Sequence, residues 1–341
     1  MGTAIGELLE KQEIGFDFLK ARRVGVDSFN ILYQFLSTIR GMDGTPLMDS
    51  HNRVTSHLTG LFYRTISLLD AEIKPVFVFD GKPHELKAET RQERNRIRTE
   101  AEKKFKEARE RGDDKEARKH AQQAVRLTGE MVEQAKRLVE YMGLPVVQAP
   151  GEGEAQASQM VARGDLYGCI SQDYDSLLFG APKLLRNITV SGKRKVPGRD
   201  YYYEVKPELI ELNKNLQALG LDRRKLVWLG ILIGTDFNEK FPKVGPKTAL
   251  KLVQDNDSFE AIVEETGHDP GFDYLEIEKI FLEPSFTKDY RIEFGQPDAE
   301  KLKELLCEEH DFSVNRVESS LQKLEDSLRK KGEQSRLDQW S

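Results

Sequence analysis

The sequence is poor in the residues that build several common kinds of functional site. It has only two cysteines among 341 residues, Cys169 and Cys307, which excludes a disulfide framework and a zinc–cysteine cluster. Its six histidines are scattered, and no GxSxG elbow or Walker A loop is present. We therefore expect neither a Ser/His/Asp hydrolase nor a nucleotide hydrolase. Cys169 lies in an apolar run and is predicted to be a buried thiol.

The chain also lacks long hydrophobic runs and an excess of basic residues. No apolar run is long enough to span a bilayer, and the first residues, MGTAIGELLEKQE, do not resemble a secretory signal. We therefore expect a cytoplasmic protein. The formal net charge of −6 argues weakly against a nucleic-acid partner, but a site built from many carboxylates would make the total acidic while leaving basic surfaces elsewhere.

Short apolar runs that alternate with helical stretches predict an α/β fold with a mainly parallel, doubly wound sheet. The runs of the kind buried in parallel sheets are RVGVDS (23–28), PVFVFD (75–80), PVVQ (145–148) and GCISQD (168–173). Two further strand candidates are KLLRNITV (183–190) and YYYEV (201–205). The last third of the chain is predicted to be helical.

Acidic residues recur where these strands end, at Asp27, Asp80 and Asp173. Ligands of open parallel sheets bind beyond the carboxyl ends of the strands, so the three should converge on one edge. Each alone could be an ordinary helix N-cap. Two closely spaced pairs extend the pattern, one in GEGEA (151–155) and one in QDYDS (172–176).

Like charges this close together are costly to bury unless a cation compensates them. Oxygen ligands select hard cations such as Mg²⁺ or Mn²⁺, and pairs of such ions cleave phosphodiesters. The candidate metal ligands are Asp27, Asp80, Glu152, Glu154, Asp173, Asp175 and Asp236. The residues thus predict a metal-dependent phosphodiesterase that acts on nucleic acid.

A basic stripe follows Asp80 in the charged segment from 82 to 136. Its residues, spaced i, i+4, i+7 and i+11 on one helix face, are Lys87, Arg91, Arg94 and Arg98. A solvated helix with i,i+4 ion pairs is the alternative. Beside a carboxylate site, the stripe suits an anionic substrate. Gly112 and the two aspartates after it predict a helical hairpin.

A second phosphate-binding candidate is the helix–loop–helix at 226–255. Gly245 and Pro246 open its second helix, and Lys247 and Lys251 follow. Helix N-termini bind phosphate well, although an ordinary helical hairpin is the alternative. Because the loop follows Asp236, it could hold a DNA backbone.

Five segments resemble the motifs of flap endonucleases, the structure-specific 5′ nucleases. They are VGVDSFNILYQFL, VFVFDGKPHELK, PGEGEAQAS, SQDYDSLLFG and GTDFN…KVGPKTAL, which span nearly the whole chain in family order. The compact length resembles the archaeal type. The resemblance implies a PIN-like nuclease core with a helical arch and a helix–two-turn–helix element. It also implies removal of 5′ flaps in Okazaki fragment maturation and long-patch base excision repair, with 5′–3′ exonuclease activity, on the nucleoid of a prokaryotic cell.

The same resemblance assigns roles to individual residues. Glu154, Asp173, Asp175 and Asp236 would be the closest ligands of two Mg²⁺ ions, with the other three acids acting through water. Lys87 and Arg94 would contact the scissile phosphate. The implied DNA contacts are Gly2, Tyr33, Thr55, Arg64, Arg91, Arg98, Gly234, Gly245, Lys247 and Lys251. The loop at Val244 and Gly245 matches a potassium-assisted grip on the duplex.

The end of the chain, QSRLDQWS, resembles the short motif that docks on a sliding clamp. Gln334, Leu337 and Trp340 would be its anchors, and a frayed terminus is the alternative. Ser341 stands where the family has a second aromatic residue. We otherwise expect a monomer bound to branched DNA.

Five regions follow from these predictions. They are an N-terminal nuclease region (1–98, basic arch helix from about 82), the rest of the arch (99–136), an internal nuclease region (137–258), a C-terminal helical region (259–330) and a flexible tail (331–341). Two alternatives to the nuclease are a non-catalytic DNA-binding adaptor of the clamp and a PIN-type endoribonuclease.

Overall fold

A computed structural model describes the backbone of residues 3–41, 44–189, 192–195 and 202–337, and side chains over 3–41, 44–189 and 204–328. Seven strands form one sheet: β1 Gln12–Glu13, β2 Arg23–Asp27, β3 Lys74–Phe79, β4 Val146–Gln148, β5 Gly168–Ile170, β6 Lys183–Arg186 and β9 Glu208–Glu211. Its order is β1-β9-β6-β5-β2-β3-β4. The five strands from β6 to β4 are parallel, and β9 is antiparallel to both its neighbours. The mainly parallel α/β core predicted from the sequence is thus confirmed.

Helices occupy most of the remaining chain. They are α1 Ser28–Thr38, α2 Ser56–Asp70, α3 Ala88–Glu110, α4 Asp114–Gln123, α5 Gly129–Tyr141, α6 Gly153–Ala162, α7 Asp175–Leu178, α8 Leu212–Leu219, α9 Arg223–Ile233, α10 Pro246–Asp255, α11 Phe259–Thr266, α12 Tyr274–Leu282, α13 Ala299–Lys303 and α14 Val314–Leu337. Short 3₁₀ turns lie at Phe16–Leu19 and Glu85–Lys87, and a π-helical turn lies at Glu304–Glu308. In the part of the chain that the structure describes, no helix is both long and apolar enough to cross a membrane.

The sheet is buried on both faces, as β3 shows. Phe77 and Phe79 pack in the cluster that contains the apolar faces of α1, α2 and α5. Val76 and Val78 point the other way and pack in a cluster with Ala157, Met160 and Val161 of α6. Alternate residues of a strand face opposite sides, so helices must cover both. A third cluster packs α7 to α12 around the end of the sheet.

Two strand predictions need correction. The run predicted at 183–190 ends as a strand at Arg186, because Asn187 has a positive φ of 62° and turns the chain. The run predicted at 201–205 does form strand β8, Tyr202–Val205, but it pairs with β7, Gly192–Lys195, in a separate two-stranded sheet. The short strand β1 and strands β7 and β9 were not predicted.

The charged segment after β3 forms a helical hairpin, as predicted. Helices α3 and α4 lie against each other, with a turn at Gly112, whose φ is +70°. The hairpin buries small residues only, which are Ala101, Ala108, Ala117 and Ala121. It therefore stands beside the main core and contributes little apolar area to it.

The predicted region boundaries meet the helices in different ways. Residues 98 and 136 lie inside α3 and α5, whereas Ser258 is the N-cap of α11, so that boundary falls between two helices. The tail predicted from 331 begins inside α14, whose backbone is helical through Gln334 to Leu337. Trp340 lies outside the described residues.

Candidate active site

Seven acidic residues meet at the carboxyl edge of the parallel strands. Asp27 ends β2, and Asp80 follows β3. The other five lie beyond β4, β5 and α9, either in connections or in the first turns of α6 and α7. Helices α1, α6 and α7 all begin here, so their positive N-termini face the same place. The edge predicted from strand ends alone is therefore where the chain brings its carboxylates together.

The carboxylates raise one another's pKa values. Burial, and then the charges of Asp80 and Asp173, raises the pKa of Asp27 to about 8. Burial, and then Glu152, raises the pKa of Asp80 to about 7. The side chains thus lie near enough to repel one another, and Asp27 itself is only 4 % exposed. Cationic compensation is what such an arrangement requires.

Glu154 and Asp175 belong to the same group of mutually repelling carboxylates. Burial, and then Asp27 and Asp175, raises the pKa of Glu154 well above its ordinary value. Burial, and then Asp236, raises the pKa of Asp175 to about 6. Each of the seven acids therefore interacts with at least one other.

Neutral groups that sequence reasoning missed hold these carboxylates in place. The hydroxyls of Ser171 and Ser176 donate to Oε1 of Glu154 at 2.8 and 3.1 Å. The Asn30 side chain donates to Oδ2 of Asp173 at 2.9 Å. Asn30 stands three residues after Asp27, whose carboxylate caps its backbone N–H, and that spacing was the available signal.

Two backbone donors reach the cluster from separate segments. The N–H of Thr3 donates to Oδ1 of Asp175 at 2.7 Å, so the amino-terminal segment reaches the site. The N–H of Gly153 donates to Oδ1 of Asp80 at 2.7 Å. A Cβ at Gly153 would lie 2.5 Å from that oxygen, so any larger residue would displace Asp80.

Two cations of the predicted stripe contact the carboxylates directly. Lys87 pairs with Glu152 and lies 3.6 Å from Asp236, and Arg94 pairs with Asp236. Burial alone would lower the pKa of Lys87, but Glu152 and Asp236 raise it above its ordinary value. The base of the hairpin therefore brings positive charge to the acidic edge.

The donor set fits a hard divalent cation. All seven side chains offer oxygen only, and the buried hydroxyl of Ser28, next to Asp27, has no hydrogen-bond partner in the described part of the chain. Over the same residues, no three acidic, histidine or cysteine side chains are arranged so that they could together hold a metal ion. Lys87 and Arg94 occupy oxygens of Glu152 and Asp236.

The other predicted DNA contacts are more dispersed. The guanidinium of Arg98 lies 5.0 Å from the centre of the Tyr33 ring, so the stripe reaches α1. Arg64 and Arg91 are exposed. Thr55 is 5 % exposed at the start of α2, so its predicted contact depends on very little surface. Gly2 lies outside the described residues.

The helix–loop–helix has the predicted form. Gly234 ends α9 with a φ of +97°, and Gly245 is the N-cap of α10 with Pro246 at its first position. Lys247 and Lys251 are exposed on α10. The N-terminus of α10 is thus open, with two cations close by in sequence.

Comparison with known proteins agrees with this geometry. The XPG N-terminal domain matches residues 5–101 and the XPG I-region matches residues 143–236. Flap endonuclease 1 of Hyperthermus butylicus is 52 % identical, covering 100 % of this chain and 99 % of its own length. Flap endonuclease 1 of Thermococcus onnurineus is 50 % identical, covering 100 % of this chain and 99 % of its own.

Solved structures give the same result. Flap endonuclease-1 from Methanococcus jannaschii superimposes with a TM-score of 0.76 at 39 % identity, covering 97 % of this chain and 100 % of its own. The catalytic core of Rad2 in complex with DNA substrate has a TM-score of 0.67 at 22 % identity, which supports the fold alone. Sequence motifs, sheet-edge carboxylates and full-length identity agree: the chain belongs to the flap endonuclease 1 family of XPG-type, divalent-metal-dependent DNA nucleases.

Proposed function

We propose that this protein hydrolyses phosphodiester bonds at junctions between single- and double-stranded DNA and removes 5′ flaps with two Mg²⁺ ions. The observation that carries the proposal is the meeting of seven carboxylates with two cations of the helical hairpin. The flap endonuclease 1 relatives support the reaction. The sequence motifs would place it in Okazaki fragment maturation and long-patch base excision repair. The intact acidic set disfavours a non-catalytic adaptor, and the full-length identity disfavours a PIN-type ribonuclease.

The residues of the site would divide the work. Glu154, Asp173, Asp175 and Asp236 would hold the ions, which supply Lewis-acid chemistry to the hydrolysis when bound. Serine and asparagine donors would keep Glu154 and Asp173 fixed in orientation. Contacts of Lys87 and Arg94 with the acidic edge support a role for both cations at the scissile phosphate.

Cleavage of a labelled flap tests the proposal. The substrate is a duplex with a 5′ flap and a single-nucleotide 3′ flap, incubated with Mg²⁺ or with EDTA. Wild type, Asp173→Asn and Asp70→Asn are compared, since Asp70 is an exposed acid at the end of α2. A short product near the junction that needs Mg²⁺ and Asp173, but not Asp70, supports the proposal. Tight flap binding without any metal-dependent product would favour the adaptor.

The grip on the duplex and the clamp contact are finer parts of the proposal. The open N-terminus of α10, with Gly245, Lys247 and Lys251, would hold the duplex backbone with the help of K⁺. Gln334, Leu337 and Trp340 would bind a sliding clamp, supported by the motif at the end of the sequence. Loss of clamp binding in Leu337→Ala, with flap cleavage retained, is the expected result. Unchanged binding would remove the motif from the proposal.

A further inference from the structure

A second charged cleft lies at the opposite edge of the sheet, where the parallel strands begin. It has a volume of about 520 Å³, and Arg22, Arg23, Tyr167 and Lys183 contribute to its lining. These residues stand at the amino ends of β2, β5 and β6. The rise of four residues along β2 separates this edge from Asp27 by about 13 Å. The cleft is therefore distinct from the carboxylate site.

Two cations of the cleft share one aromatic ring. The guanidinium carbon of Arg22 lies 3.8 Å from the centre of the Tyr167 ring, and Nζ of Lys183 lies 4.2 Å from it. Nε of Arg22 also donates to the backbone oxygen of Phe18 at 2.9 Å. The ring and this hydrogen bond hold the guanidinium in one orientation, and the π-face offsets part of the repulsion between the cations.

One carboxylate of the lining, Asp165, and two acidic side chains nearby are already paired with other cations. The pairs are Asp165 with Arg163, Glu211 with Lys214, and Glu72 with Lys20. Glu211 stands opposite Lys183 in the ladder between β6 and β9, yet its ion pair is with Lys214. Over the described residues, Arg22, Arg23 and Lys183 form no ion pair. The three cations of the lining thus have no carboxylate paired with them in the described part of the chain.

We propose that this cleft binds phosphate groups, carried either by a polynucleotide or by a free phosphorylated ligand. A fixed guanidinium presents paired N–H donors that match phosphate oxygens, and Lys183 and Arg23 add charge. The volume lies within the range of small-ligand sites. The excess of unpaired cations here mirrors the excess of carboxylates at the other edge. This site is not needed for flap cleavage as proposed above, so either proposal can fail alone.

Titration calorimetry with inorganic pyrophosphate in EDTA tests the proposal. The Arg22→Ala/Lys183→Ala variant removes two cations of the cleft. The matched control, Lys279→Ala/Lys323→Ala, removes the same charge from exposed positions on α12 and α14 that form no described ion pair. Binding at least about tenfold weaker in the first variant, with the control like wild type, supports the site. Equal affinity in all three proteins, or equal loss in both variants, overturns it.

A conservative variant guards against misfolding. Lys183→Arg keeps both charges and leaves the Arg22–Tyr167 contact intact, so it should retain most pyrophosphate binding. If the double alanine variant melts well below wild type, Lys183→Gln replaces it, because the Arg22–Tyr167 contact is then left intact. Pyrophosphate affinity of Lys183→Gln equal to that of wild type would overturn the proposal.

A second arm identifies the source of the phosphate. Binding of a short blunt duplex is measured by anisotropy over a range of salt. If a polynucleotide is the ligand, the alanine variant binds more weakly and its salt slope falls by about 2, one for each lost contact. If only pyrophosphate binding is lost, the ligand is a free phosphorylated molecule. No difference in either arm would exclude the site.

Discussion

Two places in this protein bury carboxylates, and they do so in opposite ways. At the sheet edge, Asp27 and its neighbours lack enough positive charge, and burial raises the pKa of Asp27 to about 8. In the loop before α2, the side chain of Asp49 is fully buried but accepts bonds from four donors. Burial alone would raise the pKa of Asp49, yet those bonds hold it at about 2.

The direction of the pKa shift distinguishes a carboxylate that stabilises the fold from one that has a ligand to bind. The donors around Asp49 are the side chain of His310 and the backbone and side chain of Arg53, with the N–H of His51. The bond between His310 and Asp49 joins the loop to a segment 261 residues away. The sheet-edge acids have fewer such partners. Their repulsion is what a divalent ion would relieve.

The largest effect should come from Asp175→Asn. We expect flap cleavage to fall by about 10³-fold or more, since metal coordination contributes several kcal/mol to the reaction. Thermal stability in EDTA should not fall. Asparagine still accepts the Thr3 N–H and removes a charge that the fold disfavours. Cleavage rates and melting curves are the measurements. A variant that is both inactive and clearly less stable would contradict this contrast.

Asp49→Ala should give the reverse pattern. The substitution leaves the buried ring of His310 and two backbone N–H groups without their acceptor, which we expect to cost about 3 kcal/mol. Flap cleavage per folded molecule should stay close to wild type. Urea denaturation gives the free energy of unfolding, and assays well below the midpoint give activity. Loss of activity without loss of stability would place Asp49 with the functional acids.

The sequence predicted the acidic site at the sheet edge, but it did not predict the buried bonds of Asp49. Short apolar runs ending in Asp27 and Asp80 predict both the strands and their common edge, because parallel strands end on the same side. Asp49 lies in a polar stretch of sequence that is typical of a solvent-exposed loop. Its partner His310 is distant in sequence, and no local pattern predicts such a pairing. The same limit hid Ser171 and Thr3, whose role depends on tertiary placement.

The sequence predicted a helix correctly where residues of a single kind recur at helical spacing. The basic spacing from Lys87 to Arg98 predicted a helix face, and two of its members reach the acids. The spacing did not predict that Arg98 would lie over Tyr33. Strand β9 also escaped prediction, since its antiparallel addition beside β6 depends on a long-range pairing.

Adding Mg²⁺ should stabilise the protein through the carboxylates at the sheet edge and not through the Asp49 network. We expect Mg²⁺ at about 100 times its dissociation constant to raise the free energy of unfolding of wild type by about 2.7 kcal/mol. Asp173→Asn/Asp175→Asn should gain much less, because two oxygen donors are lost. Asp49→Ala should gain as much as wild type, since its site already has its partners. Equal gains in all three proteins would mean that the ion stabilises another surface.

The effect that is smallest at neutral pH is a pH dependence next to the Asp49 network. His57 is fully buried, its Nε2 lies 3.0 Å from Oε1 of Gln134, and burial lowers its pKa from 6.5 to about 4, with help from the charge of His310. The unfolded chain therefore takes up this proton first, and stability is lost as pH falls from 6.5 to about 4.

His57→Gln removes this proton uptake and keeps a polar partner for Gln134. The stability difference between wild type and His57→Gln should be constant above pH 6.5. Below that pH it should shift in favour of the variant by at most about 1.4 kcal/mol per pH unit. Acids at the sheet edge titrate in both proteins and cancel in the difference. A difference that stays flat down to pH 4 would mean that His57 takes up its proton in the folded protein as readily as in the unfolded chain.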